Sequence, residues 1–296
     1  MRRVITQTIA GFVLIGLVLT AYVIWARPYQ LHWGATADEI ARPMPGDELD
    51  PRPTFLATRA ITIDATPAEI WPWLLQMGYG RAGFYGFDVL ENLGSPRGLS
   101  SADRILPEFQ NFRVGDKVPL SAAAEEVFYA IEPNQYLIWA GQTGPYPGGF
   151  TWALYPVDET HTRLVSRIRW HYHTLTQPGM LFLDVFTEFT DHLAVRKILL
   201  GVKGRVEGRI EPAAFVNAEF TLYVAAALIF FTSFLLILVL PFTWRRGLAS
   251  LAAGAVWLCV WYAPLPIGID PLLLMLVVGG LYQAFRQTSP PSPANQ

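Results

Sequence analysis

Asp88, Glu91 and Asn92 stand at i, i+3 and i+4, the spacing that places side chains on one face of a helix. The two carboxylates could work as general acid and base if that face met an enclosed space. No histidine accompanies them, and a solvated helix face carries the same trio. His171 and His173, two apart on a strand, could give a metal two ligands. No Asp, Glu or Cys close in sequence completes the set, so no metal is expected. Arg163, Arg167, Arg169, His171 and His173 alternate with Leu164, Ser166, Ile168, Trp170 and Tyr172. Such a row is either a basic stripe for an anionic head group or the solvent face of a sheet whose other face is core, and the second is the ordinary outcome. Arg59 shares a face with Ile61 and Ile63. If those isoleucines point inward, Arg59 needs a carboxylate or an anionic ligand, because an unpaired buried charge is costly. No Ser-His-Asp set, P-loop, dinucleotide fingerprint or zinc motif occurs, so no cofactor is expected.

The elements that must position these groups begin at Thr58. Alternation through Ile61 and Ile63 predicts a half-buried strand. A helix start follows: Thr66 as N-cap, Pro67 at the first helical position, and Glu69 placed to close a capping box. Ile70, Trp73, Leu74 and Met77 give this helix one apolar stripe. Gly78 and Gly80 end it. Phe84, Tyr85 and Phe87, flanked by Gly83 and Gly86, then form an aromatic turn before a second short helix that carries Asp88 and Glu91. The glycines permit hinge motion there, and the expectation is a mobile mouth near a membrane.

The run Ile-x-Ile-Asp-Ala-x-Pro-x-x-Ile-Trp from Ile61 to Trp71 resembles the opening of the Bet v1/START superfamily (SRPBCC), the group that includes polyketide cyclases and lipid-transfer proteins. Gly80-Arg81-Ala82-Gly83-Phe84-Tyr85 and the segment Asp88 to Leu93 are similar to a membrane-attached bacterial branch of that group. The resemblance implies an α+β helix-grip fold over roughly residues 54–210. In it a long antiparallel sheet wraps a long C-terminal helix, two short helices follow the first strand, and an apolar cavity lies between sheet and helix.

The later sequence is compatible with that fold. Val114 to Leu120, Val127 to Ile131, Tyr136 to Ala140, Phe150 to Val157 and Thr162 to Tyr172 are strand-like runs separated by turn compositions, a pattern that predicts hairpins and an antiparallel sheet. Trp139, Trp152 and Trp170 sit in these runs, as core or as cavity wall. Pro178 to Val206 reads as one long helix. Phe182, Phe186, Phe189, Leu193 and Leu200 are its expected inward stripe, with Asp184, Glu188, Asp191 and Lys197 mostly elsewhere.

Composition adds a membrane. The 296 residues are 52% hydrophobic, with mean hydropathy +0.30, too apolar for one ordinary soluble domain. A net charge of -2 offers no basic excess for nucleic acid. A single Cys259 rules out an intrachain disulfide. Val4 to Ala26 is uncharged and long enough to span a bilayer, and it is preferred as an anchor over a cleaved signal peptide. Residues 27–53 are Pro-rich, a linker or an edge that wraps the domain. Phe220 to Phe242, Leu248 to Ala263 and Pro264 to Phe285 make about three further spans within residues 219–286, and 287–296 is a Pro/Ser-rich tail. Arg2-Arg3, Arg245-Arg246 and Arg286 fit one side of the membrane if the domain lies on the other, non-cytoplasmic side.

The function expected from the resemblance and the composition is a membrane-anchored module that binds a hydrophobic or lipid-like molecule between sheet and C-terminal helix, without turnover. Its candidate lining is Arg59, Ile61, Ile63, Trp73, Phe84, Tyr85, Phe87, Asp88, Glu91, Trp139, Trp152 and Phe186, with Arg59 at a head group and the two tryptophans as walls. A cyclase or hydratase using Asp88, Glu91 or Tyr85, and a structural or partner-binding protein with a filled cavity, are the alternatives. An open apolar cavity favours binding, converging polar groups favour catalysis, and a filled interior favours the third.

Overall fold

The computed structural model describes residues 9, 13, 16, 17, 20–92, 100–141, 148–240, 243–262 and 269–286. Most of the Gly/Pro-rich stretch Gly141 to Gly149, read from its composition as a loop, together with most of the N-terminal run, residues 263–268 and the tail, therefore lies outside the described residues. The chain divides into two compact units, Tyr22–Asn217 and the remainder.

In the first unit, a π-helical turn at Tyr22–Ala26 leads into α1 (Arg27–His32) and α2 (Ala37–Ala41). β1 (Phe55–Ile63) follows, then α3 (Pro67–Leu75) and the single turn α4 (Asp88–Glu91). β2 (Lys117–Pro119), β3 (Glu125–Glu132), β4 (Tyr136–Ala140), β5 (Gly149–Pro156) and β6 (Thr162–Trp170) precede α5 (Leu181–Val206). The capping box at α3 forms as its spacing predicts: the Glu69 carboxylate accepts from the Thr66 N–H at 2.8 Å and from its hydroxyl at 2.8 Å.

The strands make one antiparallel six-stranded sheet in the order β1-β6-β5-β4-β3-β2. Hairpins join neighbours, and β1 closes beside β6. This order, with two short helices after β1 and the long α5 at the end, is the arrangement the opening motif implies. Because cross-strand partners share a face, Arg59, Ser166, Trp152 and Leu137 form one row toward α5, and Ala57, Ile168, Phe150, Trp139 and Phe128 form the next. Val195, Leu199 and Val202 of α5 pack into the same core as Trp139 and Trp152.

The opposite face is not open to solvent, which corrects the expectation for the arginine row. Residues 34–50 run across it as a strap. Met44 packs with Ala60, Ala153 and Val165. Glu39 pairs with Arg163 at 2.7 Å, Asp47 with Arg167 at 2.9 Å and Arg169 at 2.7 Å, and Asp50 with His171 at 3.0 Å. Arg167 also donates to the carbonyls of Glu39, Ile40 and Arg42 and to the Thr58 hydroxyl. The Pro-rich segment thus supplies the carboxylates that the basic stripe needs.

A second correction concerns α5. Its range agrees with the sequence, but its N-terminal half turns the other way. Asp184, Glu188 and Asp191 are buried, while Phe186 is exposed. Paired cations and hydroxyls within the unit draw the carboxylates inward.

α6 (Ala213–Val239) leads into the second unit, which holds α7 (Trp244–Tyr262) and α8 (Ile269–Phe285). Phe230 stacks on Trp257 with ring centroids 5.4 Å apart, an approach that Gly254 permits because a Cβ there would meet the Phe230 ring at 2.8 Å. Among the described residues, Ala213–Ile237 is the one helical stretch long and apolar enough to cross a bilayer, and it begins earlier than the expected Phe220. Leu272–Phe285 is apolar but shorter.

Candidate functional site

The aromatic turn is held by the two carboxylates that follow it. Glu91 accepts from the backbone N–H groups of Phe84 and Gly86, each at 3.1 Å. Asp88 accepts from the Ser101 hydroxyl at 2.7 Å and from its N–H, and Ser101 Oγ in turn accepts from the Tyr85 N–H at 3.0 Å. Tyr85 has φ +65°, a conformation that L-residues seldom adopt, and these bonds hold it there. The Tyr85 hydroxyl donates to the Trp73 carbonyl at 3.0 Å and accepts from Gln76 Nε2 at 2.8 Å. Phe84, Tyr85 and Phe87 are all buried, so the three aromatic side chains of the turn pack inward. Asp88 and Glu91 therefore act as backbone clamps. Burial, with Asp88 adding to it, pushes the Glu91 carboxyl up to about 7, against the two N–H donors and Arg205.

α5 comes against this turn at Gly201. A Cβ there would lie 2.0 Å from the Tyr85 carbonyl oxygen, so only glycine lets helix and turn meet. One helical turn on, the Arg205 guanidinium lies 4.4 Å from the centroid of the Tyr85 ring and donates to the carbonyls of Ala102 at 2.7 Å and Gly201 at 3.2 Å. Burial lowers its pKa, opposed by Tyr85, Asp88 and Glu91.

Outside this junction lies a groove of about 760 Å³. Its walls are the C-terminal half of α5, the loop Ser100–Asp103 and residues 209–216, and Tyr85, Gly86 and Asp88 close one end. Leu200, Ile210, Pro212, Ala213 and Val216 give it apolar surface. Four cations line it, Lys197, Lys203, Arg205 and Arg209, against the carboxylates of Asp88, Asp103 and Glu211. Lys197 pairs with Glu211 at 2.6 Å and Lys203 with Glu207 at 2.7 Å, while Arg209 also reaches Glu207. Arg205 differs, being held by carbonyls and a ring face. The groove thus sets apolar surface beside a cluster of charged side chains.

Between sheet and helix, several of the expected lining residues pack against one another. Trp139 and Trp152 are buried with ring centroids 5.6 Å apart, and Phe84 stands edge-on to Trp139 at 6.2 Å. Ile63 is buried, and Ile61 and Trp73 are partly buried against the same core. Arg59 has the carboxylate its position demands: Asp191 Oδ2 lies 2.8 Å from Nη1, and Nε donates to the Gln30 carbonyl at 2.7 Å. It is fully buried, and of the two partners its position called for, a carboxylate or an anionic ligand, the structure supplies the carboxylate. Beside it His192 Nδ1 lies 3.1 Å from the Gln30 carbonyl. Burial, then Arg59, drives its pKa down to about 3, so the ring is neutral and Nδ1 carries the proton. The indole nitrogens of Trp139 and Trp152 and the Ser166 hydroxyl, all on this face, are buried without a hydrogen-bond partner among the described residues.

Of the predicted lining, then, Tyr85 and Asp88 border the groove, and Phe84, Phe87 and Glu91 stand behind it. Arg59, Ile61, Ile63, Trp73, Trp139 and Trp152 belong to the interior, and Phe186 faces outward. Sequence reasoning missed Ser101, Lys197, Lys203, Arg205 and Arg209. Gly201 and Gly204, three apart in a long helix, were the available signal, since paired small residues mark a close approach.

No family model matches the sequence, and no curated protein matches it. Solved structures similar to part of the chain include a polyketide-cyclase-like protein from Corynebacterium glutamicum, at 12% identity and TM-score 0.34, covering 53% of this chain and 93% of that one. Another is Aha1 from Colwellia psychrerythraea, at 16% identity and TM-score 0.31, covering 53% and 100%. A third is CalC, a self-sacrificing resistance protein from Micromonospora echinospora, at 11% identity and TM-score 0.31, covering 52% and 94%.

Proposed function

We propose that this chain is a membrane-tethered domain that holds an anionic amphiphile, a lipid or fatty acid, in the groove beside the C-terminal half of α5 and does not convert it. The observation that carries this reading is the placing of Arg205 and three lysine or arginine neighbours over Leu200, Ile210 and Val216, where the apolar stretch Ala213–Ile237 begins. Apolar burial contributes about 25 cal/mol per Å², enough to hold an acyl chain without any covalent step. The tether keeps the groove where such ligands are concentrated. Asp88 and Glu91 are committed to backbone donors, which argues against their use as an acid/base pair.

A second reading keeps the ligand between sheet and helix, and the unpartnered Trp139, Trp152 and Ser166 atoms favour it. One experiment separates the two. Full-length protein in detergent is titrated with a fluorescent fatty acid and with its uncharged alcohol. The groove reading expects Arg205→Gln to weaken the acid about tenfold, as loss of a charge-assisted hydrogen bond does, and the alcohol little. It expects Trp152→Phe to leave both unchanged. Weakening by Trp152→Phe with Arg205→Gln silent would move the ligand to the interior, and no saturable binding of either probe would reject both.

A further inference from the structure

The N-terminal half of α5 has its polar side inward. Asp184 and Glu188 are 5% and 6% exposed, whereas Leu181, Val185 and Phe186 on the same two turns are 59%, 44% and 51% exposed. The buried carboxylates are well satisfied. Asp184 accepts from the backbone of His173 and Thr174 at 3.0 and 2.7 Å, and Glu188 meets Arg27 at 2.8 Å and the Tyr22 hydroxyl at 2.9 Å. From Leu181 to Thr190 these two are the only charged residues, so the outward side carries none. The adjoining segment has the same character. Tyr22 stacks on Phe189 with centroids 5.3 Å apart, and the next residues expose Val23, Ile24 and, at 73%, Trp25.

Charges inside and large apolar side chains outside is the distribution a helix adopts when its outer side meets hydrocarbon rather than water. The sequence supplies that surface. The uncharged run Val4 to Ala26 is long enough to enter a bilayer and ends within this patch, at Val23–Trp25. Exposed Trp25 and Tyr29 are side chains of the kind that settle at the lipid headgroup level. We infer that the patch formed by Val23–Trp25 and the Leu181–Phe186 face is a membrane-docking surface, inserted into the interfacial layer of the bilayer that takes the N-terminal run. The domain is thus seated on the lipid and not suspended from a flexible tether. This inference needs the membrane tether but not the groove ligand, so it can stand or fall apart from that binding.

The test uses the full chain with Cys259→Ser in phosphatidylcholine nanodiscs, bearing a polarity-sensitive fluorophore on Leu181→Cys, Val185→Cys or, as a control in the exposed β5–β6 turn, Glu159→Cys. The inference expects blue-shifted emission at 181 and 185, quenched about twofold or more by brominated lipid, with neither effect at 159. Emission at 181 and 185 matching that at 159 would overturn it. So would a blue shift without lipid quenching in which two unlabelled copies of the Val185→Cys variant also cross-link through their new thiols, since that would assign the patch to a second copy of the chain. A measurement free of substitutions runs alongside: a lipid-borne photoactivated carbene should label Leu181–Phe186 in the unaltered protein. Failure to label those residues, with labelling elsewhere in the chain, contradicts the inference.

Discussion

Arg59 and Asp191 form a buried ion pair at 2.8 Å inside the sheet-to-helix core, and what such a pair does on mutation is asymmetric. Asp191→Ala should destabilise the domain by about 3–5 kcal/mol, since it leaves a guanidinium buried without its carboxylate. Replacing both partners, as Arg59→Met with Asp191→Leu, should cost much less. Denaturant melts of the two variants check this, and equal costs would mean the pair is not coupled. Glu91 offers a pH signature. Its carboxyl, pushed up to about 7 by burial and Asp88, binds protons more tightly in the folded chain than at its ordinary value of 4.5. Its contribution is therefore full below 4.5 and is lost as pH rises through about 7. Thermal melts should show stability falling across that window, and Glu91→Gln should flatten the fall. An unchanged slope in the variant would assign the dependence to another group.

At the scale of elements, periodicity made two stripes legible on α5 and two faces on β6, but not which of them turns inward. Phe182, Phe186 and Phe189 repeat at helical spacing, and so do Asp184, Glu188 and Asp191. The choice was made by Arg27 and Arg59, more than a hundred residues away, and by the Tyr172 and Thr174 hydroxyls just before the helix. On β6 the alternation of Arg163, Arg167 and Arg169 was plain. Its cover was not, because nothing local in the capped turn at Thr36–Glu39 or in the Pro-rich residues after it says that they fold back over β6. The β1-to-α3 opening was legible because a capping box and an alternating strand are local. The groove was not, because it forms only where three separated segments meet around Gly201. The strap makes its own prediction. Arg167→Ala removes the donor to three strap carbonyls and to Asp47, and should destabilise the domain by roughly 3 kcal/mol, in the range for breaking a buried pair. Limited proteolysis should then cut within residues 34–50 first. Cleavage beginning elsewhere would show that the strap does not depend on Arg167.

For the whole molecule, the positive clusters Arg2-Arg3, Arg245-Arg246 and Arg286 set the expected topology, with the domain of residues 22–217 on the non-cytoplasmic side. A reporter after Gln296 and another in the turn at Glu159 should then report opposite sides of the membrane, and finding both on one side would refute the four-span arrangement. The proposed occupant of the groove is an anionic amphiphile. The most direct measurement is native mass spectrometry of the full-length protein released from membranes in mild detergent. The expected result is a bound species with the mass of an acidic lipid or fatty acid, present on the unaltered chain and on Trp152→Phe and largely lost from Arg205→Gln. An unaltered chain with no adduct that also takes up no added fatty acid, or an adduct indifferent to Arg205→Gln and lost from Trp152→Phe, would contradict it.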